Sequence, residues 1–229
     1  AKYGVRDAQG KLNPDRLVEL SKVVKAFEIK LSQGAKPGKG GVLPGAKVTA
    51  EIAAIRGVPV GQTVFSPAGH SAFSDADSLL DFVEKIADAT GLPVGIKSAV
   101  GETAFFEDLA RLMETTNRGV DHIQIDGGEG GTGAAPLVFS DHVSLPFKVG
   151  FPRVYSIFAE RGQHEKIVWI GSGKNGLPAN GFLAFALGCD MVGVAREAML
   201  SIGCIQAQRC HTDHCPTGIA TQHWWFSRG

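Results

Sequence analysis

No stretch of these 229 residues reaches the ~18 consecutive apolar positions that a membrane-spanning helix requires. Charge of one sign is also lacking, with 23 basic against 23 acidic residues. Without a basic face, nucleic acid is not an expected partner. The opening residues carry no signal-peptide pattern, and the composition is that expected of a cytoplasmic protein. Cysteine is scarce, with four residues at 189, 204, 210 and 215. Three of them fall within twelve positions. Without a secretory signal, such clustering points to a metal or cluster site rather than to disulfides. The sequence begins with Ala1, and its first 15 residues are polar, so the expectation is a fragment or processed piece.

Glycine is abundant, with 30 residues or about 13% of the sequence, against a background of roughly 7%. The glycines cluster after strand-like runs, where backbone must approach something closely. With 44% hydrophobic and 20% charged residues, the sequence suits one domain over 1–229 with a sizeable core.

Strand and helix patterns alternate. Strands are predicted at 26–31, 63–66, 93–97, 122–126, 167–170 and 191–194. Helices are predicted at 46–56, 105–115, 151–161 and 179–187. Another starts at Ser74 as N-cap, carries the stripe Leu79, Leu80, Phe82, Val83, Ile86 and Ala87, and stops at Gly91. Alternation of this kind indicates α/β architecture with a parallel sheet. Several strands read as apolar throughout, as strands buried on both faces should be. Glycine-rich loops and lysines follow nearly every strand, which fits a (β/α)8 TIM barrel better than a doubly wound sheet. Six units are present where a barrel needs eight, so they are read as barrel strands 3 to 8.

Three features carry chemistry. The first is Cys204-x5-Cys210-x4-Cys215-Pro216, thiolates followed by proline as in iron–sulfur runs. Zinc with His211 or His214 as fourth ligand, or three unrelated thiols, remain open accounts. Cys189 is expected to be a small buried residue on a helix-to-strand turn. The second is the glycine-dense loop from Asp126 to Ala135, whose free amides can lie against a planar ring or a phosphate. The third is the pair of late loops, Gly171 to Lys174 and Val192 to Arg196, where barrels commonly bind phosphate. Lys30 and Lys97 end separate strands, and Lys36 lies on the next loop; lysines sharing one mouth call for an anion.

The stretch Glu28 to Gly41 resembles the synthase domain of glutamate synthases. So do Ser66-Pro67 through His70, Gly127 to Pro136, and Gly203 to Gln222. The resemblance implies an FMN-binding (β/α)8 barrel and a 3Fe-4S cluster on Cys204, Cys210 and Cys215, within a segment at 203–222. It implies that 2-oxoglutarate and ammonia form 2-iminoglutarate, which reduced FMN converts to L-glutamate, a reaction at a CH–NH2 group. Lys30 and Lys36 would contact flavin and the substrate carboxylates. Lys97, Gln124, Gly130, Gly131 and Thr132 would hold the cofactor. Gly171, Gly173, Lys174, Gly193 and Arg196 would lie at its phosphate. The implied partners are an electron-donor subunit or ferredoxin and an amidotransferase domain or subunit, since no N-terminal nucleophilic cysteine is present.

The sequence departs from the family pattern at Val42, where a glutamine is usual, at Lys39, usually acidic, and at His70-Ser71-Ala72, usually His-His-Asp. Gly171-Ser172-Gly173-Lys174 replaces the usual Asp-Gly-Gly-x-Arg. Val42 and Ser71 motivate one alternative, a relative acting on another amino or keto acid, such as in N-methylglutamate formation. A second alternative is an electron-carrying or assembly fragment whose partner supplies further strands.

Overall fold

The computed structural model describes residues 5–7, 9–131 and 135–228. The chain opens with helix α1 (Pro14–Ser21), whose first turn is capped by the Asn13 side chain accepting from Arg16 N. This helix, unforeseen in the sequence, packs on α3 and buries Leu17. There follow β1 (Phe27–Lys30), β2 (Val42–Leu43), α2 (Ala50–Arg56), β3 (Val64–Phe65), α3 (Ala76–Thr90) and β4 (Val94–Ser98). Then come α4 (Ala104–Thr115), β5 (His122–Asp126), α5 (Phe147–Glu160), β6 (Val168–Ser172), α6 (Pro178–Ala186), β7 (Met191–Gly193) and α7 (Arg196–Ser201).

Five strands form one parallel sheet in the order β1-β4-β5-β6-β7. This arrangement is α/β, and it is consistent with an arc of a TIM-like barrel. The predicted strand at 63–66 does not join it. Val64 and Phe65 pair antiparallel with Val42 and Leu43 in a separate ribbon. The reason lies in burial: neither residue reaches the core, and Phe65 is exposed. Without a buried face, nothing fixes this short segment in the main sheet.

Apolar and polar side chains alternate along β1 and β5, while β6 is apolar on both faces at Val168, Trp169 and Ile170. On one face stand Ile29, Val94, Ile96, Ile123, Ile125 and Trp169, all buried with residues of α3, α4 and α5 in one core. On the other stand Glu28, Lys30, Lys97, His122, Gln124, Asp126 and Ser172, at alternate positions. Helix burial explains the first set. The second set is the one that carries chemistry.

Trp169 fills the largest part of the core, meeting Phe151, Tyr155 and Phe158. Its indole N–H donates to His164 O at 3.0 Å, so the burial leaves no orphan donor. Two aspartates at the far rim fix register. Asp121, before β5, accepts from the first amide of β4, and Asp190, before β7, accepts from Trp169 N, each at 2.7 Å.

Two helix starts correct the sequence reading. Asp75, not Ser74, caps α3, because its carboxylate accepts from Ser78 N while Ser78 Oγ returns to the cap backbone. That bonding holds the Asp75 carboxyl below its usual range. Helix α5 begins at Phe147, not 151, leaving Pro152 inside it. Burial of Phe147, Gly150 and Phe151 outweighs the amide that proline lacks.

Candidate active site and cysteine segment

The polar face of the sheet assembles the site from neighbouring strands. Register sets Lys30 beside Lys97, Lys97 beside Gln124, Asp126 beside Ser172, and Ser172 beside Gly193. Asp126 is the organiser. It is buried, accepts from Gly34 N and from Ser172 Oγ at 2.8 Å each, and stands 3.8 Å from Lys97 Nζ. Gln124 donates to Ser172 Oγ at 3.0 Å. The loop leaving β1 is thereby tied down: Gly34 N is held by Asp126, and Gly34 O accepts from Ser144 Oγ at 2.5 Å. That loop carries Lys36.

Positive charge is concentrated here. Burial, reinforced by Lys97 and Lys36, pushes the Lys30 ammonium below its ordinary pKa. Lys30 Nζ donates to Gln33 at 2.8 Å, while its carbonyl meets the His70 ring. Deeper on the same face, burial raises Glu28, and His122 lies 3.9 Å away, itself lowered by burial. Their approach needs Gly95, because a Cβ there would lie 2.3 Å from the His122 ring. Past the ends of β1 and β4 opens a cleft of about 490 Å3, lined by Leu31, His70, Phe73, Ser98, Glu102 and Phe105 among others, with none of the lysines in its wall.

The first half of the glycine-dense loop is anchored at Glu129 and Gly130. Glu129 accepts from Phe147 N, so its charge meets the start of α5. Arg196 donates to Gly130 O at 3.3 Å. Gly131 has a left-handed φ of 62°, and a Cβ would lie 2.1 Å from the Arg196 guanidinium. Arg196, Gly130 and Gly131 are therefore together, and Gly173 adjoins Gly130; Gly171, expected with them, lies within β6 and faces Phe147 and Cys189 in the core. Thr132 lies outside the described residues. Lys174 is drawn off towards Asp141, at 3.9 Å, rather than joining Arg196.

Cys204, Cys210 and Cys215 line one small cavity, with Met199, Thr217 and Ala220. Burial works to raise the Cys215 thiol, but hydrogen bonds from Thr217 and from the amides of Ala220, Thr217 and Ile219 hold it below its usual pKa. Gln206 N donates to Cys204 Sγ at 3.4 Å. Asp213 closes the loop, buried and accepting from Thr221 Oγ1 and Gln222 N. Among the described residues, five non-glycine residues have left-handed backbone, and three of them, Gln206, Gln208 and Asp213, lie here. Left-handed backbone on such residues costs on the order of 1 kcal/mol each and clusters at ligand clamps. No three His, Cys, Asp or Glu side chains stand at single-ion spacing among the described residues. The three thiols share a cavity without standing at single-ion spacing. Cys189 is apart from them, buried, its thiol pushed up to about 12 by burial and then by Asp190.

Comparison with known proteins fits this arrangement. Residues 1–226 match the family model described as conserved region in glutamate synthase. The chain belongs to the glutamate synthase family. It is 40% identical over 221 residues to the glutamate synthase large subunit-like protein YerD of Bacillus subtilis, covering 96% of this chain and 42% of that protein. It is 43% identical over 199 residues to an archaeal glutamate synthase [NADPH] of Methanocaldococcus jannaschii, covering 86% and 38%. With a ferredoxin-dependent glutamate synthase of Cyanidium caldarium it shares 35% over 214 residues, covering 92% and 13%. The chain thus spans about two fifths of the first two relatives and a smaller part of the third.

Within this glutamate synthase-family chain, the positions that depart from the family pattern fall into two groups: Ser172 and Gly173 are buried beside Asp126, whereas Val42, Lys39 and Ser71 are peripheral and exposed. Sequence reasoning had not singled out Asp126, Ser172, Glu28 or Lys47 as site residues. Asp126 had a signal, an acidic residue ending an alternating strand just before the glycines. Lys47 had none, because its contacts lie more than 160 residues away. No helix among the described residues is long and apolar enough to cross a membrane.

Proposed function

We propose that this chain carries the FMN- and 3Fe-4S-binding part of a glutamate synthase-type oxidoreductase, which reduces 2-iminoglutarate, formed from 2-oxoglutarate and ammonia, to L-glutamate. The carrying observation is the polar sheet face, where Lys30, Lys97, Gln124 and Asp126 stand side by side. Its five parallel strands are read as part of an FMN-type (β/α)8 barrel.

The residues fit the two groups. A mouth holding Lys30, Lys36 and Lys97 has more positive charge than Asp126 offsets, and an anion relieves it. The donors on Cys215 stabilise a thiolate, the form that ligates iron. When bound, FMN supplies hydride transfer, and the cluster supplies single electrons. Lys30 and Lys36 would bind the substrate carboxylates and position them for the flavin. Lys97, steadied by Asp126, offsets negative charge on the ring. Gln124, oriented by Ser172, would present its amide to the flavin, and Gly130, Gly131 and, by sequence position, Thr132 would help to bind it. Gly171, Gly173, Gly193 and Arg196 hold the phosphate. Lys174, turned towards Asp141, is the weakest member of the set. Electrons come from a donor subunit or ferredoxin, and ammonia from an amidotransferase domain or subunit.

The purified chain should be yellow-brown, release flavin on heating and contain about three irons, as three thiolate ligands imply. Zinc without iron or flavin overturns the reading. Supplied with reductant, 2-oxoglutarate and ammonia, the loaded protein should form glutamate. Turnover confined to another keto acid would rule out that substrate while leaving the cofactors in place. Cys210→Ser should abolish the iron.

A further inference from the structure

Lys47 ends the short 3-10 turn Gly45–Lys47, between the β2–β3 ribbon and α2. Its ammonium donates to Cys210 O and to Ala220 O, both at 2.7 Å. These carbonyls sit on the outgoing and returning limbs of the cysteine segment. Among the described residues no carboxylate pairs with Lys47. Among the described residues its charge is therefore met by carbonyl dipoles. One of these belongs to Cys210, and the other to Ala220, whose own amide points at Cys215. The ribbon ahead of Lys47 also bears the loop with Lys36, since Ser66 N donates to Gly41 O.

We propose that Lys47 is the positioning residue of the cysteine segment: it clamps both limbs to the ribbon and sets one uncompensated positive charge beside the three thiolates. Two consequences follow. The clamp links the loop bearing Lys36 to the segment bearing the cysteines. The charge favours uptake of an electron by the group those thiolates hold, because cluster potential rises with local positive charge and hydrogen bonding. The second consequence rests on the cofactor reading above; the first does not.

The full chain carrying Lys47→Met, Lys47→Gln or Lys47→Arg separates the two roles. Hydrogen exchange of iron-free protein reads the clamp. In Lys47→Met, amides at 210–222 should exchange about tenfold faster, the effect of one lost charged hydrogen-bond anchor. Sheet amides should be unchanged, and Lys47→Arg should restore protection. Equal exchange at 210–222 in wild type and Lys47→Met overturns the clamp. A dithionite titration followed by electron paramagnetic resonance reads the charge. Lys47→Gln keeps a donor without the charge, so reduction should be about tenfold less favourable, or about 59 mV for one electron. Equal potentials overturn the charge role. Wild-type protein without iron would sink the cofactor reading, yet the exchange comparison would still decide the clamp.

Discussion

The sheet and the cysteine segment are held together by different forces. The sheet rests on a continuous apolar face, ladder hydrogen bonds and helices that cover Trp169, Phe151 and Phe158. The segment around Cys204 to Cys215 buries few apolar side chains beyond Cys215 itself and rests on placed polar contacts: Asp213 with Thr221, Lys47 with Cys210 and Ala220. Hydrophobic burial is non-directional and tolerates change, whereas a polar clamp fails when one partner is lost. The difference separates a scaffold from a part whose shape depends on individual side chains.

The largest expected effect is on the scaffold. Trp169→Ala should destabilise the chain by about 3–5 kcal/mol, from lost transfer energy plus a cavity. Denaturant unfolding measures it; a loss under about 1 kcal/mol would mean that the core collapses around the gap. Asp126→Ala comes next, at about 2–3 kcal/mol, because it strips partners from Gly34 N, Ser172 and Lys97 together. It should also release flavin, and a stable variant with normal flavin content would remove Asp126 from the site.

Asp213→Ala inverts the pattern. It should lower global stability by about 1 kcal/mol yet cost most of the bound iron, since its contacts lie within the cysteine segment. Iron retained in full would show that the segment does not need its polar closure.

Cys189 belongs to the scaffold and gives a pH test. Its folded-state thiol keeps its proton above the ordinary 9.0, up to about 12. The contribution is full below that ordinary value and is lost as pH rises through the window, at about 1.4 kcal/mol per unit. Cys189→Ala should flatten that part of the curve in denaturant titrations above about pH 9; an unchanged slope would assign it to other groups.

The smallest effect is at Lys30. Its lowered pKa means that the folded chain holds that proton less tightly, a penalty relieved as pH rises through the lowered value. Lys30→Met should therefore stabilise the flavin-free chain slightly, by ~0.3 kcal/mol, because the side chain is only partly desolvated and its charge is largely screened. Added phosphate should cancel the difference, and a destabilised variant would refute the excess of positive charge.

Much of this was legible beforehand, for identifiable reasons. Five of six predicted strands lie in the parallel sheet, because Phe27 to Lys30, Val94 to Ser98 and His122 to Asp126 carry a strong apolar set and glycine-marked ends. The strand at 63–66 misled, because four residues of strand-like composition carry no information about their partner. Burial on both faces was expected and holds for β4 and β5, and the shared mouth of Lys30 and Lys97 was anticipated, but not that Asp126 and Ser172 would join them there.

The amino-acid sequence alone determined the alternation of strands and helices, the clustered thiols, the lysines at strand ends and the family. Those are local patterns or matches along the chain. Only the tertiary structure decided that Lys30, Lys97, Gln124 and Asp126 share one face, that the β2–β3 ribbon stands apart from the sheet, and that Lys47 holds the cysteine segment. Each of those joins residues distant in the chain, and such contacts exist only once burial of the apolar face has fixed strand order and register.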